Sequence, residues 1–169
     1  MIDLKEKIRN IPDFPVKGIQ FKDITTLLKD KEAFKYSIDE ITKYCSKYQI
    51  DYIAGIEARG FIIGAPVAYQ LGIGFLPVRK PEKLPSVVER VSYQLEYGEN
   101  ILEIHKDAID NGDRIMVIDD LLATGGTTAA VFKLIERLGG KVVGASFIIE
   151  LEFLNPREKL EGYDIFSLV

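Results

Sequence analysis

Apolar residues recur along this chain in two rhythms. Short β-branched or aromatic runs at 52–56, 74–78, 114–118, 142–149 and 165–169 predict buried strands. Between most of these runs the apolar spacing lengthens to three and four. Over 31–48 it brings Phe34, Ile38, Ile41, Cys45 and Tyr48 to one side, with Asp30 placed as N-cap, so an amphipathic helix is expected. Over 127–138 the stripe is Val131, Leu134, Ile135 and Leu138, while Lys133, Glu136 and Arg137 face water and Gly139 suits a left-handed cap. Strands alternating with helices imply an α/β fold, a mainly parallel twisted sheet flanked by helices, because each crossover carries the chain back over the sheet. Ligands of such sheets bind at the C-terminal ends of the strands.

Two segments depart from this rhythm. Residues 80–108 are rich in charge, Tyr and Val and alternate loosely, which predicts a flexible two-stranded hairpin acting as a flap. Between Arg59 and Arg79 there is no charge at all, a length approaching that of a membrane span. Gly60, Gly64, Gly72 and Gly74 punctuate this stretch, Pro66 and Pro77 interrupt it and Gln70 sits inside it. A buried helix, a turn and a strand are expected there, and no membrane contact. Without a repeat, low-complexity tract or linker, residues 1–169 read as a single domain.

Composition narrows the function. Apolar residues at 47 % and charged ones at 28 % are ordinary for a globular chain. Twenty-two Lys and Arg against 26 acids leave a net charge of −4, so no global positive field draws the chain to nucleic acid, and an anionic ligand must be held locally. Cys45 and His105 are each the sole residue of their type, which excludes an intramolecular disulfide, a His/Cys zinc site and a Ser-His-Asp arrangement. His105 is expected at the surface, on the flap's return strand. The start, MIDLKEKIRN, mixes charge with apolar residues where a signal peptide has an apolar run, so a cytoplasmic setting is expected.

The segment MVIDDLLATGGTT, at 116–128, carries the most chemistry. A buried strand ends in Asp119 and Asp120, and a small-residue loop then opens a helix. In Ala123, Thr124, Gly125, Gly126 and Thr127 the glycines admit close approach of backbone to ligand, and free N–H groups at the helix start favour an anion such as phosphate. Two acids beside a phosphate cradle need something hydroxylated or positive between them, either a sugar diol or hydrated Mg²⁺. The plainer reading, a strand end with a turn and an N-cap, stays open on the loop alone. Neither a loop ending in Gly-Lys-Ser/Thr nor a strand followed by Gly-x-Gly-x-x-Gly is present, which argues against P-loop and dinucleotide folds.

VIDDLLATGGTT closely resembles the 5-phosphoribosyl-1-pyrophosphate motif of the type I phosphoribosyltransferases. Phe14-Pro15, the run Gly18 to Ile24, Ala54-Gly55-Ile56-Glu57-Ala58-Arg59-Gly60-Phe61, Leu95-Glu96-Tyr97-Gly98 and Phe166-Ser167-Leu168 resemble, in order, the adenine-specific branch of that family. The resemblance implies a small N-terminal hood on the sheet, a homodimer, and transfer of the phosphoribosyl group from phosphoribosyl pyrophosphate to adenine, giving AMP and pyrophosphate. Mg²⁺ would arrive with the pyrophosphate, and no protein cage for it is expected. The same motif with a different hood would serve xanthine or guanine, and a phosphoribosyl-pyrophosphate-sensing regulator is a more distant alternative. A receiver-like module, with the two acids handling metal and phosphoryl chemistry, is the remaining one.

Carried over residue by residue, Ala123 to Thr127 hold the 5′-phosphate and Asp119 with Asp120 the ribose hydroxyls. The Glu57-Ala58-Arg59 turn and the basic cluster Arg79, Lys80 and Lys83 face pyrophosphate, the cluster acting across a dimer interface. Phe21 and Leu151 sandwich the purine, and backbone near Ile19 and Gln20 reads its amino edge. Glu96 handles the purine proton and Tyr97 packs over the reacting centre as the flap closes to exclude water. Phe21 fits a plain core position as well, and Lys83 a solvated face.

Overall fold

Alternation along the central strand sets the layers. In the computed structural model, which describes residues 2–94 and 99–169, strand β7 (Arg114–Ile118) turns Ile115 and Val117 to one side of a sheet and Met116 and Ile118 to the other, all four fully buried. A strand buried on both faces must read as a continuous apolar run, as this one does. Its neighbours are β3 (Tyr52–Ile56), β4 (Gly74–Val78), β9 (Lys141–Phe147) and β11 (Asp164–Ser167), in the order β11-β9-β7-β3-β4, every pair parallel.

The crossovers supply the covering layers. Helix α2 (Lys31–Cys45) and helix α3 (Arg59–Leu71) bury Ile38, Ile41, Ile63 and Val67 against Ile53, Met116 and Ile118; the short helix α1 (Thr25–Lys29) adds Leu27 to that cluster. On the other face helix α4 (Gly126–Arg137) packs Val131, Leu134 and Ile135 against Ala54, Ile115 and Val117. The antiparallel hairpin of β5 (Val88–Gln94) and β6 (Glu99–His105) lies over this second layer, tied to the end of β4 by backbone bonds between Arg79 and Glu103. A second hairpin, β1 (Arg9–Pro12) with β2 (Gln20–Asp23), forms the N-terminal hood, and a two-residue parallel pair, β8 (Leu121–Leu122) with β10 (Ile149–Glu150), sits beyond the sheet edge.

The expected elements are present with shifted ends. Asp30 caps α2 through the N–H groups of Glu32 and Ala33, both at 3.1 Å, but the helix stops at Cys45 rather than Tyr48. There the Ser46 hydroxyl bonds the Lys43 carbonyl at 2.9 Å, a local competitor for the helical ladder. The run 142–149 divides into β9 and β10 because Ile148 and Ile149 both donate to the Asp120 carbonyl, drawing the chain out of the sheet towards the acid pair. The uncharged stretch resolves into α3, a left-handed turn at Gly72 and β4; among the described residues no helix is long and apolar enough to cross a membrane.

Candidate functional site

All five sheet strands run the same way, so Ile56, Ile118, Phe147 and Val78 end on one edge and hand the chain to Glu57, Asp119, Ile148 and Arg79. The candidate site is assembled there. Asp119 and Asp120 leave β7 beside the start of α3, and the approach is close: a Cβ on Gly60 would lie 2.7 Å from the Ile118 carbonyl oxygen and 3.0 Å from Asp119 Oδ1. Only glycine lets the helix begin against that backbone.

Asp120 is 2 % exposed and its Oδ2 lies 2.9 Å from Nε of Arg59, an ion pair rather than an aligned hydrogen bond, for that oxygen has no hydrogen-bond partner among the described residues. Burial pushes both carboxyls above the usual carboxylate range; the charge of Asp120 pushes Asp119 further, whereas Arg59 pulls Asp120 part of the way back. A desolvated carboxylate pair with an unmet acceptor favours ligands that bring hydroxyl donors or positive charge. Arg59 also stands over the Phe21 ring, its guanidinium carbon 5.5 Å from the centroid, and Phe21 meets Phe14 edge-on at 5.1 Å. The fold thus joins three residues of distant sequence position, Phe21, Arg59 and Asp120.

The loop after β8 has the geometry an anion cradle requires. Gly125 takes φ +76°, and a Cβ there would stand 2.4 Å from the Pro156 carbonyl oxygen, so both conformation and space demand glycine. No side chain caps the start of α4, which leaves its first N–H groups to a ligand. Ala123, Thr124, Gly126 and Thr127 line the turn half-buried. The Thr127 hydroxyl donates to the Tyr93 hydroxyl at 3.2 Å, linking cradle and flap. The sequence does not single out Tyr93; its only signal there is its place in the loosely alternating flap.

At the end of β3, Glu57 works through its carboxylate. Oε2 accepts from Arg79 Nε and from the Lys80 backbone N–H, both at 3.0 Å, while Glu57 N–H donates to the Val78 carbonyl at 3.0 Å. Arg79 also reaches the Lys83 carbonyl at 3.2 Å, so the basic cluster is ordered as one turn, with Lys80 and Lys83 exposed. Ala58, joined to Glu57 by a cis peptide, is exposed at the start of α3. In the hood, Ile19 and Gln20 are exposed, and the Ile19 carbonyl accepts from Phe14 N–H at 3.3 Å.

Leu151 lines a cavity of about 560 Å³ together with Asn10, Lys22, Glu152 and Phe153. The Phe21 ring is engaged by Phe14 and Arg59. Glu96 and Tyr97 lie outside the described residues. His105 falls on β6 as expected, half-buried, its Nε2 accepting from Ser86 N–H at 3.3 Å.

Comparison with known proteins gives concordant results. The phosphoribosyl transferase domain family matches residues 25–164. An adenine phosphoribosyltransferase of Halothermothrix orenii is 59 % identical over 168 residues, 99 % of either chain. The crystal structure of the adenine phosphoribosyltransferase from Thermoanaerobacter pseudethanolicus superposes with a TM-score of 0.95 at 57 % identity, covering 98 % of this chain and 96 % of that one. The Saccharomyces cerevisiae enzyme, solved with adenine and an imino-altritol bisphosphate, gives 0.91 at 38 % identity over 98 % and 96 %.

Proposed function

The chain belongs to the phosphoribosyltransferase family, and from that premise we propose that it transfers the phosphoribosyl group of 5-phosphoribosyl 1-pyrophosphate to adenine, giving AMP and pyrophosphate. The observation that carries the reading is the uncapped start of α4 following an acid pair, Asp119 partly and Asp120 almost fully buried, at the C-terminal edge of a parallel sheet. The cradle from Ala123 to Thr127 takes the 5′-phosphate. Asp119 and Asp120 accept hydrogen bonds from the ribose 2′ and 3′ hydroxyls, and their field stabilises positive charge growing on the sugar ring as the C1′–O bond to pyrophosphate breaks. That electron pair leaves with pyrophosphate, which carries Mg²⁺ as part of the substrate. N9 of the base attacks C1′ and sheds its proton, for which Glu96 is the assigned acceptor.

Arg59 has two partners to exchange. Its guanidinium, now on Asp120 and Phe21, turns to pyrophosphate when the diol replaces it at the acid pair. The Glu57 carboxylate holds Arg79 and Lys80 facing the same leaving group. Phe21 then offers its ring to the purine, with Leu151 as the opposite wall, and backbone near Ile19 and Gln20 reads the amino edge. Tyr97 packs over the reacting centre. The active species is a homodimer through the face of α3 and β4.

Incubation with phosphoribosyl pyrophosphate, Mg²⁺ and each free purine tests this directly. AMP from adenine, with guanine and xanthine far slower, is expected. Turnover of guanine or xanthine in preference to adenine, or of none of them, overturns it.

A further inference from the structure

Next to the strand that leads into the cradle lies a carboxylate that takes no part in the chemistry above. Glu150 pairs in register with Leu122, the residue at which β8 enters the phosphate loop, and the next N–H, that of Leu151, donates to the Leu122 carbonyl at 2.9 Å. Its side chain, only 4 % exposed, receives Arg157 through two parallel bonds, Nε to Oε1 and Nη2 to Oε2, both 2.7 Å. The Ser167 hydroxyl donates to Oε2 at 2.7 Å, and Glu150 N–H donates to the Val169 carbonyl at 2.8 Å. A planar guanidinium held at two points fixes orientation as well as distance.

That orientation reaches the loop through one peptide. Arg157 follows Pro156, whose carbonyl oxygen lies 2.4 Å from where a Cβ on Gly125 would stand. Gly125 is the left-handed residue from which α4 starts. The back of the cradle therefore rests on a segment anchored by the buried Pro156 and Leu160 and tied to β10 by this ion pair, whose nearly buried acidic member also adjoins Leu151 of the purine wall. An exposed pair contributes little to stability. One with a nearly buried acceptor, three side-chain bonds and a role at a binding loop has a different use.

We infer that Glu150 and Arg157 are positioning residues for the phosphate loop: their pair sets the Gly125 backbone from behind and thereby the affinity for the 5′-phosphate. The inference rests on the proposed function for the identity of that anion, and direct binding separates the two. Wild-type protein and the variants Arg157→Ala, Arg157→Lys and Glu150→Gln are titrated with ribose 5-phosphate by calorimetry, alongside steady-state kinetics and thermal melts. Arg157→Ala should weaken ribose 5-phosphate binding about tenfold and raise the KM for phosphoribosyl pyrophosphate by a like factor with kcat nearly unchanged, because an outer contact of a site acts on the groups it orients. Arg157→Lys, which keeps the charge and one bond, should recover part of the loss.

Wild-type affinity in Arg157→Ala, or a fall in kcat with KM unchanged, overturns the inference. A lowered melting temperature with unaltered affinity does so too, since it reduces the pair to a structural tie. Should Arg157→Ala fail to fold, Glu150→Gln decides by the same criteria, because it keeps the shape of the site and the Ser167 bond. Wild-type protein that binds no ribose 5-phosphate counts against the proposed function instead.

Discussion

Asp119 and Asp120 are held at a disadvantage to the fold, and that is measurable. Burial raises both carboxyls above the ordinary value of 3.8, so the native state binds protons more tightly than the unfolded chain. Stability on their account falls as pH rises from that ordinary value through the raised native one. Asp119→Asn should match the wild type in thermal stability near about pH 4 and exceed it near neutrality, while kcat/KM falls by about a hundredfold or more through loss of charge at the developing cation. Melts across that range with kinetics at neutral pH check both halves. Asp51 has the opposite sign: hydrogen bonds from Arg114 hold it at about 2, so its contribution is present above 3.8 and fades as pH drops towards 2. Asp51→Asn should lower the melting temperature at neutral pH and converge with the wild type in strong acid. The acids, Arg59 and Phe21 were legible in the sequence because residue type and motif order carry their chemistry. What escaped was their company. That Arg59 serves Asp120 and Phe21 at once, or that the Glu57 carboxylate holds Arg79, depends on residues brought together only by the sheet.

Two elements begin at the site, and each owes its position to a glycine. Alanine at Gly60 would ordinarily strengthen a helix by about 1 kcal/mol. Here the new methyl would meet the backbone of Ile118 at 2.7 Å, so steric displacement outweighs propensity and α3 must move away from the acid pair. Gly60→Ala should therefore cost activity by about tenfold or more even where stability changes little. At Gly125 the two effects share a sign: the left-handed φ costs a side chain about 1 kcal/mol or more, and the Pro156 carbonyl leaves no room. Gly125→Ala should lower both the melting temperature and the affinity for ribose 5-phosphate, read by thermal melts and calorimetry. The helices and central strands were legible from periodicity, since burial of one helical stripe or of both strand faces writes itself into apolar spacing. The division of 142–149 was not, because it depends on the Asp120 carbonyl, and the β1–β2 pairing was not, because neither strand has a fully buried residue or an alternation to read.

At the scale of the whole molecule one surface stands out against the charge elsewhere. Ile62, Ala65 and Tyr69 are exposed at helical spacing along α3, Tyr69 at 87 % and Ile62 at 44 %, in the uncharged stretch between Arg59 and Arg79. Beside them runs β4, one of the two edge strands of the sheet. An uncharged helix face next to a strand edge suits association better than solvation, and a two-fold pairing covers it with its own equivalent, leaving no edge open to further growth. The same stretch runs through β4 into Arg79, Lys80 and Lys83, so in the proposed dimer a second copy set upon it would bring one protomer's basic turn towards its partner's site. Charge placed on this stripe, as in Ile62→Glu with Tyr69→Glu, should shift the protein from dimer to monomer in sedimentation equilibrium while leaving its far-ultraviolet circular dichroism unchanged, since neither side chain is buried in the protomer. Turnover at a concentration where the wild type is dimeric should fall with the dimer fraction. A variant that stays dimeric would place the two-fold contact on another face.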